Sequence, residues 1–442
     1  MHETLESRIF LSGTVDVEFA HGRLFITGDA GANQIIISAQ NDLINISALA
    51  GTSVTGKHRN ISETSLSRGI VVTLNGGDDS LNVSGHIIGD LTIDTGDGDD
   101  SVTINNTSIS NSMLIKTGAG DDNVNVSNSS IHAIAQIEQD GGVDPTTFSS
   151  VHVGQDLKID DLIGNAQMSL SRLIVDGKTI INTGNTSDGV AIHHSTLNGD
   201  VTINTAAGND NIFISDSHLN RKVNIDPGTG KNDVRRDIFV DSNFSQGNDG
   251  WTAEASDLSP AADKKVQVKV HSVQDETGFV PKVLEISSDN QATLYLKKLL
   301  TTADGIVAGQ LYNVQFAVNY LSNRPASAGA QQILKVGAVG HVINRSINPE
   351  TGAYQVNIDH GVAQNDGADT TAVGTVNNNT RNTKHWVDVS TKLALTQTVR
   401  ADSKGRLSLF VGTDPLISAG TDMRFVAISV KLTPAKPFDN LV

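Results

Sequence analysis

At 442 residues the chain is long enough for two or three domains, and 38% hydrophobic content with 41 glycines and only 4% aromatic residues places it among globular chains. A formal charge of −17 argues against a nucleic-acid backbone as partner. The absence of cysteine excludes a disulfide framework, thiolate metal sites and cysteine nucleophiles, and no run of 18 apolar residues is present to span a membrane.

Residues 1–22 read as a leader or capping segment. No basic region followed by a long apolar stretch opens them. The stretch Leu5-Glu6-Ser7-Arg8-Ile9-Phe10-Leu11-Ser12-Gly13 resembles the LEPR-x-L-L segment near the start of large exported proteins of planctomycete-type bacteria. Ser7 stands where that family carries Pro. The resemblance implies export, to an extracellular or cell-surface location.

Residues 23–236 carry an internal repeat. Steps of 22 from Ile93 land on Ile115, Ile137, Ile159, Ile181, Ile203 and Ile225. A second apolar column runs Val102, Val124, Thr146, Met168, Val190, Ile212, and a third runs Ile109, Ile131, Val153, Val175, Leu197, Leu219. Apolar residues pair two apart, as Leu91/Ile93 and Val102/Ile104 do, which is strand alternation with one buried face. β-Branched residues dominate, as strands prefer. Twenty-two residues suit one rung of a three-sided coil, and parallel connections are right-handed. The repeat predicts a right-handed parallel β-helix, regular over 70–236 and preceded by irregular rungs over 23–69. Its open ends need caps.

Between the first two strands of each rung lies an aspartate turn. Copies are Thr95-Gly96-Asp97-Gly98-Asp99-Asp100 and Thr117-Gly118-Ala119-Gly120-Asp121-Asp122, with related turns ending at Asp79, Asp144, Asp188 and Asp210. Residues 23–236 hold 25 acidic side chains, all but two of them Asp, against 13 basic ones, so most of the negative charge sits here. Carboxylates stacked on adjacent rungs, roughly 5 Å apart, would repel by about 3 kcal/mol at an effective dielectric near 20. A hard divalent cation would turn that repulsion into binding. The turns resemble the calcium-binding nonapeptide of RTX toxins, carried here once per 22 residues. That resemblance implies structural Ca²⁺ at Asp100, Asp122, Asp188, Asp210 and Asp144, and the same turns add Asp79, Asp99 and Asp121. The array is interrupted by Ala166 and Asn232. The alternative is plain turn chemistry, since Gly, Asp and Asn are the residues tight turns need.

The periodicity ends near Asp237, and both Trp and all four Tyr lie beyond it. Alternating runs such as Val314-Gln315-Phe316-Ala317-Val318 and Phe425-Val426-Ala427-Ile428-Ser429-Val430, separated by turn residues, predict an antiparallel β-sandwich or jelly roll over 237–442. Phe244-Ser245-Gln246-Gly247-Asn248-Asp249-Gly250-Trp251 resembles the opening strand of jelly-roll carbohydrate-binding modules. In such modules exposed aromatics stack on sugar rings, which nominates Trp251, Trp386 and Tyr354; the alternative, and the stronger one for Trp251, is core packing, where sandwich aromatics usually go.

Two functions of different class follow. The first is a secreted structural or adhesive protein: a rigid rod, with Ca²⁺ as staple, presenting a sandwich head to a polysaccharide or cell-envelope component, with self-association an option. The second is a polysaccharide-binding or polysaccharide-degrading lyase or hydrolase. Short loops across 91–235 and the scarcity of basic residues favour a chain that is not an enzyme. His193, His194, Arg221, Lys222 and Asp188 are the nearest catalytic candidates.

Overall fold

The computed structural model describes residues 13–435, apart from 50, 57, 264–265, 276, 279, 289–291, 323–331, 361–365, 377–386, 395–397 and 416–420. The chain divides into two compact units, Met1–Arg235 and Arg236–Val442. No helix among the described residues is long and apolar enough to cross a membrane.

The first unit is a β-solenoid with stacked turns of about 22 residues. The register follows the repeat: Ile115 lies opposite Ile93 on one side and Ile137 on the other. Val102 lies between Leu81 and Val124, and Ile109 between Ile87 and Ile131. The strand alternation of the sequence becomes alternation of burial. Ser101–Ile109 runs from Val102 and Ile104 inside to Thr103 and Asn105 at the surface. Every member of the isoleucine column from Ile93 to Ile203 is fully buried, and one apolar core runs through the unit. Each rung therefore contributes the same few side chains to a continuous stack, which local burial alone would not stabilise.

Residues 23–69 depart from the regular rungs through antiparallel hairpins. Thr14–Ala20 pairs antiparallel with Arg23–Thr27, and Gln34–Gln40 pairs antiparallel with Leu43–Ala48. The two hairpins turn on His21-Gly22 and Asn41-Asp42, all four at positive φ, as tight two-residue hairpins require. Arg23–Thr27 and Gln34–Gln40 then serve as the parallel partners of Gly69–Thr73 and Ser80–Ile87. At this end one sheet closes on antiparallel strands, Gln34–Gln40, Leu43–Ala48 and Asn60–Ser62, while the other ends with Ser53–Gly56 laid parallel to Thr14–Ala20.

The second unit is an antiparallel β-sandwich. One sheet orders Gln267–Ser272, Lys282–Ser288, Thr421–Pro434, Leu311–Ser322 and Val387–Ala394, with Ile238–Ser242 and Val399–Arg400 added at its sides. The other orders Thr252–Ser256, Thr293–Leu300, Leu407–Pro415, Gln332–Val339 and Thr370–Thr375. Val314, Phe316, Ile428 and Val430 from the first meet Leu294, Leu296, Leu334 and Val411 from the second in one core.

Ile159→Ala tests the stack. Ile159 is fully buried between Ile137 and Ile181, so the variant is expected to lose roughly 2–5 kcal/mol of solenoid stability in urea denaturation. A loss below 0.5 kcal/mol, on the order of a surface change, would mean that this column does not hold the rungs together.

Candidate functional site

The aspartate turns form two hydrogen-bond ladders. The inner residues are buried, Asp79, Asp100, Asp122, Asp144, Asp188 and Asp210 among them. At the corner the chain leaves the strand pairing, and an amide loses its ladder partner. The Oδ1 of the next rung replaces it. Asp79 N–H donates to Asp100 Oδ1 at 2.8 Å, Asp100 N–H to Asp122 Oδ1 at 2.9 Å, and Asp122 N–H to Asp144 Oδ1 at 3.0 Å. Farther along, Ala166 N–H donates to Asp188 Oδ1 and Asp188 N–H to Asp210 Oδ1, both at 3.0 Å. Asn232 continues the row, accepting from Asp210 N–H at 2.9 Å. In two rungs the second oxygen takes a hydroxyl from the threonine five residues back: Thr183 to Asp188 at 2.5 Å and Thr205 to Asp210 at 2.8 Å.

The outer carboxylates run the other way. Asp121 N–H donates to Asp99 Oδ1 at 2.9 Å, and Val143 N–H to Asp121 Oδ1 at 2.8 Å. Gly118 shows why glycine punctuates these turns: its φ is 80°, and a Cβ there would lie 2.1 Å from the Gly96 carbonyl oxygen.

The rung of Ala166 carries an interior carboxylate that the sequence reading missed. In that rung the ladder position lacks a carboxylate, and Asp161 occupies the column otherwise filled by Thr95, Thr117, Gln139, Thr183 and Thr205. Asp161 is fully buried, so the rung keeps one interior carboxylate, moved by five residues. Stepping by 22 through polar as well as apolar positions is the signal that finds it.

The donor set of the turns is engaged within the protein on one side only: Oδ2 of Asp79, Asp100, Asp122 and Asp144 is buried with no hydrogen-bond partner. Oδ1 of each inner aspartate already receives an amide. The turn carbonyls of Asp97, Ala119 and Gly141 accept the amides of Gly77, Gly98 and Gly120. Among the described residues no three imidazole or carboxylate side chains come together round a point that could hold a metal.

Burial is instead the dominant influence on these groups. It pushes Asp79, Asp122 and Asp161 up to about 7 and Asp100 to about 6, from an ordinary 3.8, with neighbouring carboxylates adding to the effect. Asp144 and Asp188 are raised for the same first reason.

The catalytic candidates do not converge. His193 faces outward, with Nδ1 2.7 Å from Ser215 Oγ and its ring against Phe213. His194 sits at positive φ with Nε2 3.9 Å from Asp216, whereas Asp188 is interior and Arg221 and Lys222 are exposed. Short turns do not preclude a cleft, however: a cavity of about 430 Å³ opens on the face built by the short third strands, over Ser108, Ser130, His132 and His152.

In the sandwich, Trp251 is not available for stacking on a sugar. It is fully buried, and its Nε1–H donates to Ser242 Oγ at 2.9 Å. Trp386 lies outside the described residues. Tyr354 is partly exposed, with the Arg345 guanidinium 4.0 Å from its ring centre. It belongs to a polar network on the outer face of the five-stranded sheet. The register sets Glu254, Tyr295, Gly412 and Lys335 in one row across four strands. Glu254 accepts from Tyr295 Oη at 2.8 Å and pairs with Lys297 at 2.8 Å. Arg345 reaches from the covering hairpin to Asp263 at 2.6 Å and to the Ala255 carbonyl at 3.0 Å.

No family model matches the chain, and no curated protein does. Solved structures that it resembles include the CBM22-1 xylan-binding domain of Paenibacillus barcinonensis Xyn10C, at 15% identity over 44% of this chain and 94% of that one, TM-score 0.23. Another is the enzymatically active domain of bacteriophage CBA120 tailspike protein 4, at 10% identity over 86% of this chain and 54% of that one, TM-score 0.27. The chain thus spans about half of that tailspike domain. A third is an arabinose-bound α-L-arabinofuranosidase, at 18% identity over 41% of this chain and 23% of that one, TM-score 0.22. Likenesses of this size leave ligand and chemistry to be argued from the residues. They do correct one expectation: the chain cannot be set apart as non-enzymatic, because an enzymatically active tailspike domain and a glycosidase stand among the similar structures.

Two predictions follow from the ladder. Asp122→Ala leaves the Asp100 amide without its acceptor and is expected to cost about 1–3 kcal/mol. Asp122→Asn keeps an oxygen there, as Asn232 does naturally, and is expected to cost much less in the same urea titration. Equal losses would show that the acceptor is not what matters. The second concerns pH. Between about 4 and 7 the folded chain holds protons that the unfolded chain has released, so stability is highest near pH 4 and falls as pH rises through that window. A thermal melt is expected to give a higher Tm at pH 4.5 than at pH 8, with millimolar Ca²⁺ changing little. A Tm that rises with pH, or a large Ca²⁺ shift, would contradict it.

Proposed function

We propose that the chain is a polysaccharide-binding protein working outside the cell or at its surface, with the solenoid as a rigid support and the partly exposed patch where the Arg345–Tyr354 hairpin covers the five-stranded sheet as a sugar-binding surface. The observation that carries the reading is the half-buried set of Tyr354, Arg345, Glu254 and Lys297. One ring with a guanidinium on it, together with a carboxylate and an ammonium held by hydrogen bonds, offers a stacking platform beside donors and acceptors. Sugars present just these two needs, apolar ring faces and many hydroxyls. The polar groups are preorganised, so ligand contact does not have to order them first. An acidic chain favours neutral over anionic polysaccharides as ligands.

The test is native gel electrophoresis of the full chain in gels containing neutral or acidic polysaccharides. Retardation by a neutral polysaccharide, weakened about tenfold (~1.4 kcal/mol) by Tyr354→Ala and by Glu254→Gln, is the expected result. No retardation by any polysaccharide, or retardation untouched by both variants, would remove the reading.

A further inference from the structure

The cavity of about 430 Å³ lies on the solenoid unit. It is a separate feature from the sheet face of the sandwich. Its floor is Ile109 and Ile131, both in the core. Its walls are two rows of residues repeated at 22-residue steps. One row runs Ser108, Ser130 and His152; the other runs Ser110, His132 and Gly154. Gly154 keeps the second row low at the point where every later rung carries a longer polar side chain. The strand register places Ser108 beside Ser130 and Ser130 beside His152 on successive rungs.

The rows continue past the cavity as one hydrogen-bonded line. His152 Nε2 lies 2.9 Å from Asp176 Oδ2, Asn198 Nδ2 donates to Asp176 Oδ1 at 3.1 Å, and Asn220 Nδ2 donates to Asn198 Oδ1 at 2.8 Å. His152 and Asn198 together hold the Asp176 carboxyl below its usual range. Beside His152 on the next rung Ile174 leaves 44% of its surface exposed, an apolar step in an otherwise polar line.

We infer that this groove binds a short neutral oligosaccharide lying across the rungs, roughly one sugar unit per rung. The inference rests on the polysaccharide reading above and adds a second site to it. The lining is hydroxyl, imidazole and carboxamide with aliphatic patches, which suits a ligand that alternates hydroxyls with CH faces. The cavity is lined by no lysine or arginine, so an anionic ligand would find no counter-charge. Rungs repeat at about 4.8 Å, so a linear ligand of similar repeat meets equivalent groups at each step.

The experiment is calorimetric titration of the full chain with neutral oligosaccharides of two to six units, using whichever polysaccharide the gels identify. It is repeated on Tyr354→Ala, on the paired variant His132→Ala with His152→Ala, and on Ser130→Asn. All substituted positions on the solenoid are at the surface, and melting temperatures confirm folding. The expected result is two classes of site in the parent chain. The solenoid variants remove one class, with at least a tenfold loss, while Tyr354→Ala spares it. A single class lost in Tyr354→Ala and unchanged in both solenoid variants would overturn the groove site and leave the sandwich reading intact. No heat with any sugar would overturn both.

Discussion

A coiled chain that turns a corner every few residues must find acceptors for the amides that leave the sheet. A buried amide without a partner costs about 1–3 kcal/mol, and this solenoid repeats the corner rung after rung. Its answer is to take the acceptor from the neighbouring rung rather than from the same turn. At the first corner the acceptor is the inner aspartate. At the second corner it is a hydroxyl. Thr107 N–H donates to Ser129 Oγ and Ser195 N–H to Ser217 Oγ, both at 3.0 Å. Those hydroxyls donate in turn to carbonyls two residues back. The residue before each such hydroxyl sits at positive φ, as Asn106, Asn128, His194 and Asp216 do. Strain in the turn and satisfaction of the turn are thus one repeated unit.

This arrangement explains why the charge of the chain is so uneven. The first corner needs an acceptor that reaches across a rung and that fits a tight turn, and aspartate or asparagine does both. Carboxylates accumulate for reasons of hydrogen bonding, and burial raises the pKa of Asp79, Asp100, Asp122, Asp144 and Asp188, which favours the uncharged form and so lessens repulsion along the row. Asn232 shows that the charge itself is dispensable, because it performs the same acceptor role neutrally.

The parts of this legible in the sequence were those with a strict period and an apolar signature. Ile93 through Ile203 announced both the rung length and the buried face, and Val314 and Phe425 announced sandwich strands by alternation. The aspartate turns were legible as turns, but their direction was not. Whether Asp100 faces a cation or the amide of Asp79 depends on which side of the corner the side chain falls, and spacing carries no such information. The hairpins at His21-Gly22 and Asn41-Asp42 were hidden because the apolar residues of 23–69 match a rung in composition while pairing antiparallel. For Trp251 the resemblance and the packing preference pointed opposite ways, and the core took it, with its indole N–H on the Ser242 hydroxyl.

The two candidate sugar surfaces differ in how a sequence can make them. The sandwich site is assembled once, from Glu254 and Lys297 on neighbouring strands and Arg345 and Tyr354 on a hairpin, so each residue has its own partner and loss of one is local. The solenoid groove is assembled by repetition, so its chemistry is set column by column. A column position faces solvent, and it can pass from Ser108 to Ser130 to His152 while the strand register beneath it is kept. The corner ladders fix the scaffold through buried positions, and that leaves the outward columns free to vary. A repeat whose interior is this constrained and whose exterior is this free is suited to recognising a ligand that is itself a repeat.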